Sequence, residues 1–109
     1  MAGNILVVDD EKDMLTLLHR IISENTNHNV VVEASSLKAL ELLRDHSFNL
    51  IFSDLKMPGM DGIKFLEKVR GISPKTAVVI MTAYGTIDTA VDATRKGAYD
   101  FVTKPFRRE

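Results

Sequence analysis

The chain has no cysteine, and only three prolines and six glycines in 109 residues. Without thiols it can form neither a disulfide nor a thiolate metal site, which fits a reducing compartment. An excess of one charge is also missing: Lys+Arg 14 against Asp+Glu 15 leaves a net charge of −1. With no basic stripe along the sequence, direct nucleic-acid binding by this chain is not expected. No apolar run approaches the roughly 20 residues that cross a bilayer. The start, Met1-Ala2-Gly3-Asn4, has no basic n-region. Internal repeats and low-complexity tracts are absent as well. What is present is 45% hydrophobic residues, enough for one core. The expectation is a single domain over 1–109, cytoplasmic and without membrane contact.

Four short apolar runs each end on a polar residue suited to phosphate or metal. Ile5-Leu6-Val7-Val8 meets Asp9-Asp10, and Leu50-Ile51-Phe52-Ser53 meets Asp54. Ala77-Val78-Val79-Ile80-Met81 meets Thr82, and Tyr99-Asp100-Phe101-Val102-Thr103 meets Lys104. Such runs, rich in β-branched residues and bounded by turns, read as buried parallel strands. Ligands of open α/β sheets bind beyond the carboxyl ends of the strands. Three carboxylates, a hydroxyl and an ammonium are therefore expected to meet in one crevice. That set suits a divalent cation and a phosphoryl group.

Helical patterns fill the intervals. Met14, Leu17, Leu18, Ile21 and Ile22 predict a first helix from Glu11 to Asn25. Val30-Val31-Val32-Glu33 predicts a further strand. Ser35 or Ser36 caps a helix with the apolar stripe Leu37, Leu40 and Leu43. Lys56-Met57-Pro58-Gly59-Met60 is a loop by its Pro-Gly pair, in which the two methionines shape the loop or a contact surface. Asp61 caps a third helix with Ile63, Leu66 and Val69 inward, closed by Gly71-Ile72-Ser73-Pro74. Thr86 caps a fourth that ends at Gly97. The alternation predicts an α/β, doubly wound parallel sheet of five strands. His19, His28 and His46 share no ligand spacing and read as surface residues.

In this order and spacing, Asp9-Asp10, Asp54, Thr82-Ala83 and Lys104-Pro105-Phe106 resemble the receiver domain of two-component response regulators. Met57-Pro58-Gly59-Met60-Asp61-Gly62 and Gly97-Ala98-Tyr99-Asp100-Phe101 are also typical of receivers, and the likeness runs from Asn4 to Phe106. Met81-Thr82-Ala83-Tyr84-Gly85-Thr86-Ile87, with Thr89-Ala90-Val91, resembles the NtrC-type branch, whose full-length members activate sigma-54-dependent transcription. The resemblance implies the flavodoxin-like strand order 2-1-3-4-5. It also implies a switch, not an enzyme with its own turnover, fed by the phosphohistidine of a sensor histidine kinase. The implied output domain, of ATPase and DNA-binding type, is not within these residues.

On this resemblance Asp54 is the phosphoacceptor nucleophile. Asp9, Asp10, Asp54 and the backbone carbonyl of Lys56 bind Mg²⁺ (or Mn²⁺), Asp10 directly and Asp9 partly through water. Thr82 and Lys104 hold the phosphoryl oxygens. Thr82 and Phe101 form the switch, Phe101 lacking the hydroxyl of a tyrosine. Tyr99, on the same run, is expected to point away by strand alternation. The side chains of Lys56 and Tyr84 flank the path of an attacking water and tune the lifetime of the phosphoryl group. A cis peptide bond at Lys104-Pro105 is implied as well.

Receivers carry a fifth helix after the Lys-Pro-Phe segment, whereas Arg107-Arg108-Glu109 alone follow here. With that helix missing, self-association through an uncovered sheet face is expected. Two other readings compete. A phosphohydrolase with an Asp nucleophile needs that residue after the first strand and a second acid two residues on, unlike the adjacent Asp9-Asp10. A pseudo-receiver, binding partners without phosphorylation, is the alternative: the intact acid set and Lys104 argue against it, and the missing fifth helix keeps it open.

Overall fold

In a computed structural model the described residues are 3–57, 59–82 and 87–103, Ile87 by its backbone alone. The elements alternate: β1 Asn4–Val8, α1 Lys12–Asn25, β2 Asn29–Glu33, α2 Ser36–Asp45, β3 Leu50–Asp54, α3 Gly62–Ile72, β4 Ala77–Thr82, α4 Ile87–Arg95 and β5 Asp100–Thr103. The strands form one sheet in the order β2-β1-β3-β4-β5, and each pairing is parallel. The predicted class, strand order and alternation therefore hold. Segment 104–109, with its predicted cis bond and its place for a further helix, lies outside the described residues, as does Thr86. No helix among the described residues is long and apolar enough to cross a membrane.

Alternation along the strands divides the core in two. Leu6 and Val8 of β1, Ile51 of β3, and Val78 and Ile80 of β4 face α2 and α3, where they meet Ala39, Leu43, Phe65, Leu66 and Val69. Ile5, Val7 and Met81 face the other way and are covered by Leu15 and Leu18 of α1. Both faces of the central strands are thus apolar, which is why they read as continuous runs and not as alternating ones.

Three expectations are corrected. Leu37 is 62% exposed, and the inward residues of α2 are Ser36, Ala39 and Leu43. Because Ser35 is the N-cap, accepting from the Lys38 N–H at 3.3 Å, Leu37 falls on the outer side of the first turn. Met57 and Met60 are buried in the core, so of the two roles expected for them the contact surface falls and the shaping of the loop stands. Tyr99 is 78% exposed, but alternation is not the cause: it shares the odd parity of Phe101 and simply precedes β5. The histidines split, with His19 and His46 exposed and His28 half-buried, its Nδ1 accepting from the Gly3 N–H at 2.8 Å.

The first turn of α3 is pressed against the end of β3. Asp61 caps the helix, its Oδ1 accepting from the Lys64 N–H at 2.9 Å. Gly62 follows, and its N–H donates to the Leu55 carbonyl at 2.6 Å. A Cβ at Gly62 would collide with the Asp54 carbonyl oxygen and stand 2.7 Å from Leu55 Cα, both backbone atoms that cannot swing aside. Gly71, in the same helix, has nothing within 4 Å of its Cβ position. Gly62→Ala is expected to destabilise the domain by about 1–3 kcal/mol through overpacking. Gly71→Ala should instead stabilise it by about 0.5–1 kcal/mol. Urea unfolding of both variants checks the pair, and equal effects would refute the close approach at Gly62.

Candidate functional site

The parallel register brings the acids together. Val8 pairs with Ser53, so Asp9, just beyond β1, stands level with Asp54, the last residue of β3. Asp54 pairs with Met81, which places Thr82 one residue further along the neighbouring strand. One oxygen each from Asp9, Asp10 and Asp54 lies within 4.8 Å of the others. Asp9 is fully buried, Asp54 nearly so, and Asp10 exposed. Two carboxylates thus sit in low dielectric with a third at the rim, an arrangement of like charges that a cation relieves.

Backbone N–H groups orient the acids. Asp9 Oδ1 accepts from Glu11 N–H at 2.9 Å, and Asp54 Oδ1 accepts from Leu55 N–H at 3.0 Å. The Leu55 N–H also donates to the Met81 carbonyl at 2.8 Å, tying the end of β3 to β4 beside the site. The Asp9-Asp10 pair does not cap α1: the N-cap is Glu11, which makes no side-chain cap bond. Helix capping, the plain alternative for an acid pair after a strand, is therefore not its role.

Thr82 is buried at the end of β4 and lies in register with Thr103 of β5. Phe101 pairs with Ile80 and packs, half-buried, on the α2–α3 side of the core. Thr82 and Phe101 share parity with their partners and so belong to the same sheet face. Lys56 is exposed in the loop after Asp54. Lys104, the residue after β5, and Tyr84 lie outside the described residues. Two residues near the site escaped the sequence reading. Gly62 had a signal, a glycine directly after a capping aspartate, whereas Ser36 was hidden by the ambiguity of two adjacent serines.

Hard oxygen donors at this spacing fit a divalent cation that keeps part of its water shell. The comparisons with known proteins point the same way. The response regulator receiver domain family matches residues 5–109. The chain is 39% identical over 102 residues to the transcriptional regulatory protein ZraR of Escherichia coli (strain K12), covering 94% of this chain and 23% of that protein. It therefore spans about a quarter of that regulator's length. The solution structure of the beryllofluoride-activated NtrC4 receiver domain dimer superposes with a TM-score of 0.90 at 35% identity, over 95% of this chain and 85% of that one. It agrees with the branch suggested by the Met81–Val91 segment. A response regulator from Burkholderia pseudomallei, solved with a phosphorylated aspartic acid, calcium ion and citrate, superposes with a TM-score of 0.89 at 27% identity, over 96% and 61%. With its sheet order, its acid cluster and a family match from strand β1 onward, this chain belongs to the response regulator receiver domain family.

Proposed function

We propose that this domain accepts a phosphoryl group on Asp54 from a sensor histidine kinase and, once modified, changes the behaviour of an output domain that controls transcription. The observation that carries the reading is the meeting of Asp9, Asp10 and Asp54 within 4.8 Å at the carboxyl edge of the sheet, one residue from buried Thr82. The phosphorylated aspartic acid and calcium ion of the Burkholderia pseudomallei relative support it.

In the transfer, an Asp54 carboxylate oxygen attacks phosphorus, the P–N bond to the donor imidazole breaks, and that nitrogen takes up a proton. Asp9, Asp10, Asp54 and the Lys56 carbonyl would hold Mg²⁺ or Mn²⁺. When bound, the cation neutralises the carboxylates and the incoming oxygens, the main catalytic need of phosphoryl transfer. The Thr82 hydroxyl and the Lys104 ammonium complete the cradle. Thr82 then moves toward the phosphoryl group, and Phe101, on the same sheet face, fills the space it leaves. Lacking a phenolic hydroxyl, Phe101 acts by packing alone. Release follows attack of water on phosphorus, past the side chains of Lys56 and Tyr84.

Four outcomes are expected. Incubated with Mg²⁺ and a small phosphoramidate donor, the chain should gain one phosphoryl group by intact mass, while Asp54→Asn gains none; an equal gain in both would remove Asp54 from the role. Mg²⁺ at 100 times its Kd should stabilise the protein by about 2.7 kcal/mol in urea unfolding, a gain that a chelator removes. In Asp54→Asn the chelator effect should shrink, and the metal-free variant should exceed the metal-free parent in stability, because one of three crowded charges is gone. Tyr84→Ala should shed the phosphoryl group severalfold faster, followed as decay of the adduct mass, and unchanged decay would strip Tyr84 of its tuning role.

A further inference from the structure

The loop between β3 and α3 leaves the acid cluster and returns to it within eight residues. Its base is fixed: Leu55 N–H donates to the Met81 carbonyl at 2.8 Å, and Gly62 N–H donates to the Leu55 carbonyl at 2.6 Å. Its crown is held differently. Met57 and Met60 are buried in the core, but methionine has three rotatable bonds and fills space without dictating one geometry. Burial of these two thioethers leaves the exact height of the crown unspecified.

A hydroxyl from another element supplies what the methionines lack. Ser36, in the first turn of α2, is 3% exposed. Its Oγ lies 3.3 Å from the Met60 carbonyl oxygen and 3.5 Å from Met57 Sδ, so its single proton reaches both sides of the crown. The bland role for this serine is capping, but Ser35 holds that role through the Lys38 N–H. A serine bonded locally would turn to its own helix. Ser36 instead reaches residues 21 and 24 positions away.

Lys56 sits between these two anchors, Leu55 on one side and Met57 on the other. We infer that the Ser36 hydroxyl is a positioning group for the cation site: it fixes the loop crown, and through it the Lys56 carbonyl. The inference rests on the proposed cation site and adds to it a residue that touches neither cation nor phosphate. Its signature follows from the ions. Mg²⁺ demands near-ideal octahedral geometry at about 2.0–2.1 Å, whereas Ca²⁺ accepts longer and irregular shells. A slackened carbonyl therefore weakens Mg²⁺ far more than Ca²⁺.

The test is amide NMR titration of the chain with MgCl₂ and with CaCl₂, together with hydrogen exchange of the Gly59–Gly62 amides. Ser36→Ala should raise the Mg²⁺ Kd about tenfold, the low end for residues that support metal ligands. The Ca²⁺ Kd should move much less, and the loop amides should exchange faster. Ser35→Ala, which removes the α2 cap without touching the loop, should lower stability and leave both constants alone. Ser36→Cys keeps the volume with a weaker donor, gives an intermediate Mg²⁺ Kd, and keeps the test readable if alanine unfolds the domain. Unchanged Mg²⁺ affinity in Ser36→Ala and Ser36→Cys, or a loss matched by Ser35→Ala, overturns the inference while the cation site stands. A parent chain with no Mg²⁺-dependent shifts overturns the cation site, and the inference with it.

Discussion

Holding three carboxylates within 4.8 Å, two of them buried, is the constraint on which this structure depends. Left to themselves the charges would push apart, so the surrounding scaffold must be stiffer than the repulsion. Stiffness comes from the sheet. β1 and β3 are paired along their length and covered on both faces, with Leu6, Val7, Val8 and Ile51 wholly excluded from solvent. Backbone N–H groups of Glu11 and Leu55 then fix the direction of one oxygen on each buried acid. The backbone positions of Asp9 and Asp54 are thereby fixed by the central pair of strands, with Asp10 beside them at the exposed rim. The packed core sets three carboxylates side by side at one edge of the sheet.

The rest of the molecule divides into parts that must not move and parts that can. On the β3–α3 side, Gly62 is pressed on the Asp54 backbone, Asp61 caps α3, and Phe65, Leu66 and Val69 are wholly buried. On the other side of the site α4 is held far more loosely. Among its described side chains Ala93 alone is fully buried, and Val91 is 44% exposed. Its anchor lies at the far end. Gly97, at φ +105°, packs against the Arg70 side chain, whose Nη1 donates to the Thr76 carbonyl at 3.0 Å. The Lys96–Glu67 pair at 3.6 Å adds little, being about half exposed. Among the described residues α4 is thus pinned at its C-terminus and lightly covered elsewhere, the condition under which local displacement costs little.

Much of this was legible in the sequence, for definite reasons. Buried parallel strands need unbroken apolar runs, and the residue ending each run falls at the ligand edge by topology alone. Asp9, Asp54 and Thr82 could therefore be gathered before any coordinates were known. What was not legible depended on helix phase and on contacts across the fold. Leu37 was assigned inward because leucines three apart suggest a stripe, but the choice between Ser35 and Ser36 as cap rotates the whole turn. For Met57 and Met60 the flanking Pro-Gly pair leaves loop shaping and a contact surface equally open, and only the fold shows that a loop pinned at its base can turn apolar side chains back into the core. At Tyr99 the start of the strand, and not alternation, decides exposure. Gly62 could have been flagged, since a glycine in a first helical turn costs stability unless something presses on it.

Apart from Tyr99 and His28, the differences fall in one place, the β3–α3 loop and the first turn of α2. Local rules fail there for a physical reason. The loop leaves directly from Asp54 and returns to its backbone at Gly62, while its own composition, rich in methionine, glycine and proline, specifies little. Order has to be imported from elements that the sequence places 20 residues earlier. A buried hydroxyl does this well: it is directional where a thioether is not, and it occupies a small residue's volume at the foot of a helix. The two sides of the site thus solve opposite problems. One is packed closely, with Gly62 against the Asp54 backbone and Met57 and Met60 in the core, and on the other α4 fully buries Ala93 alone among its described side chains.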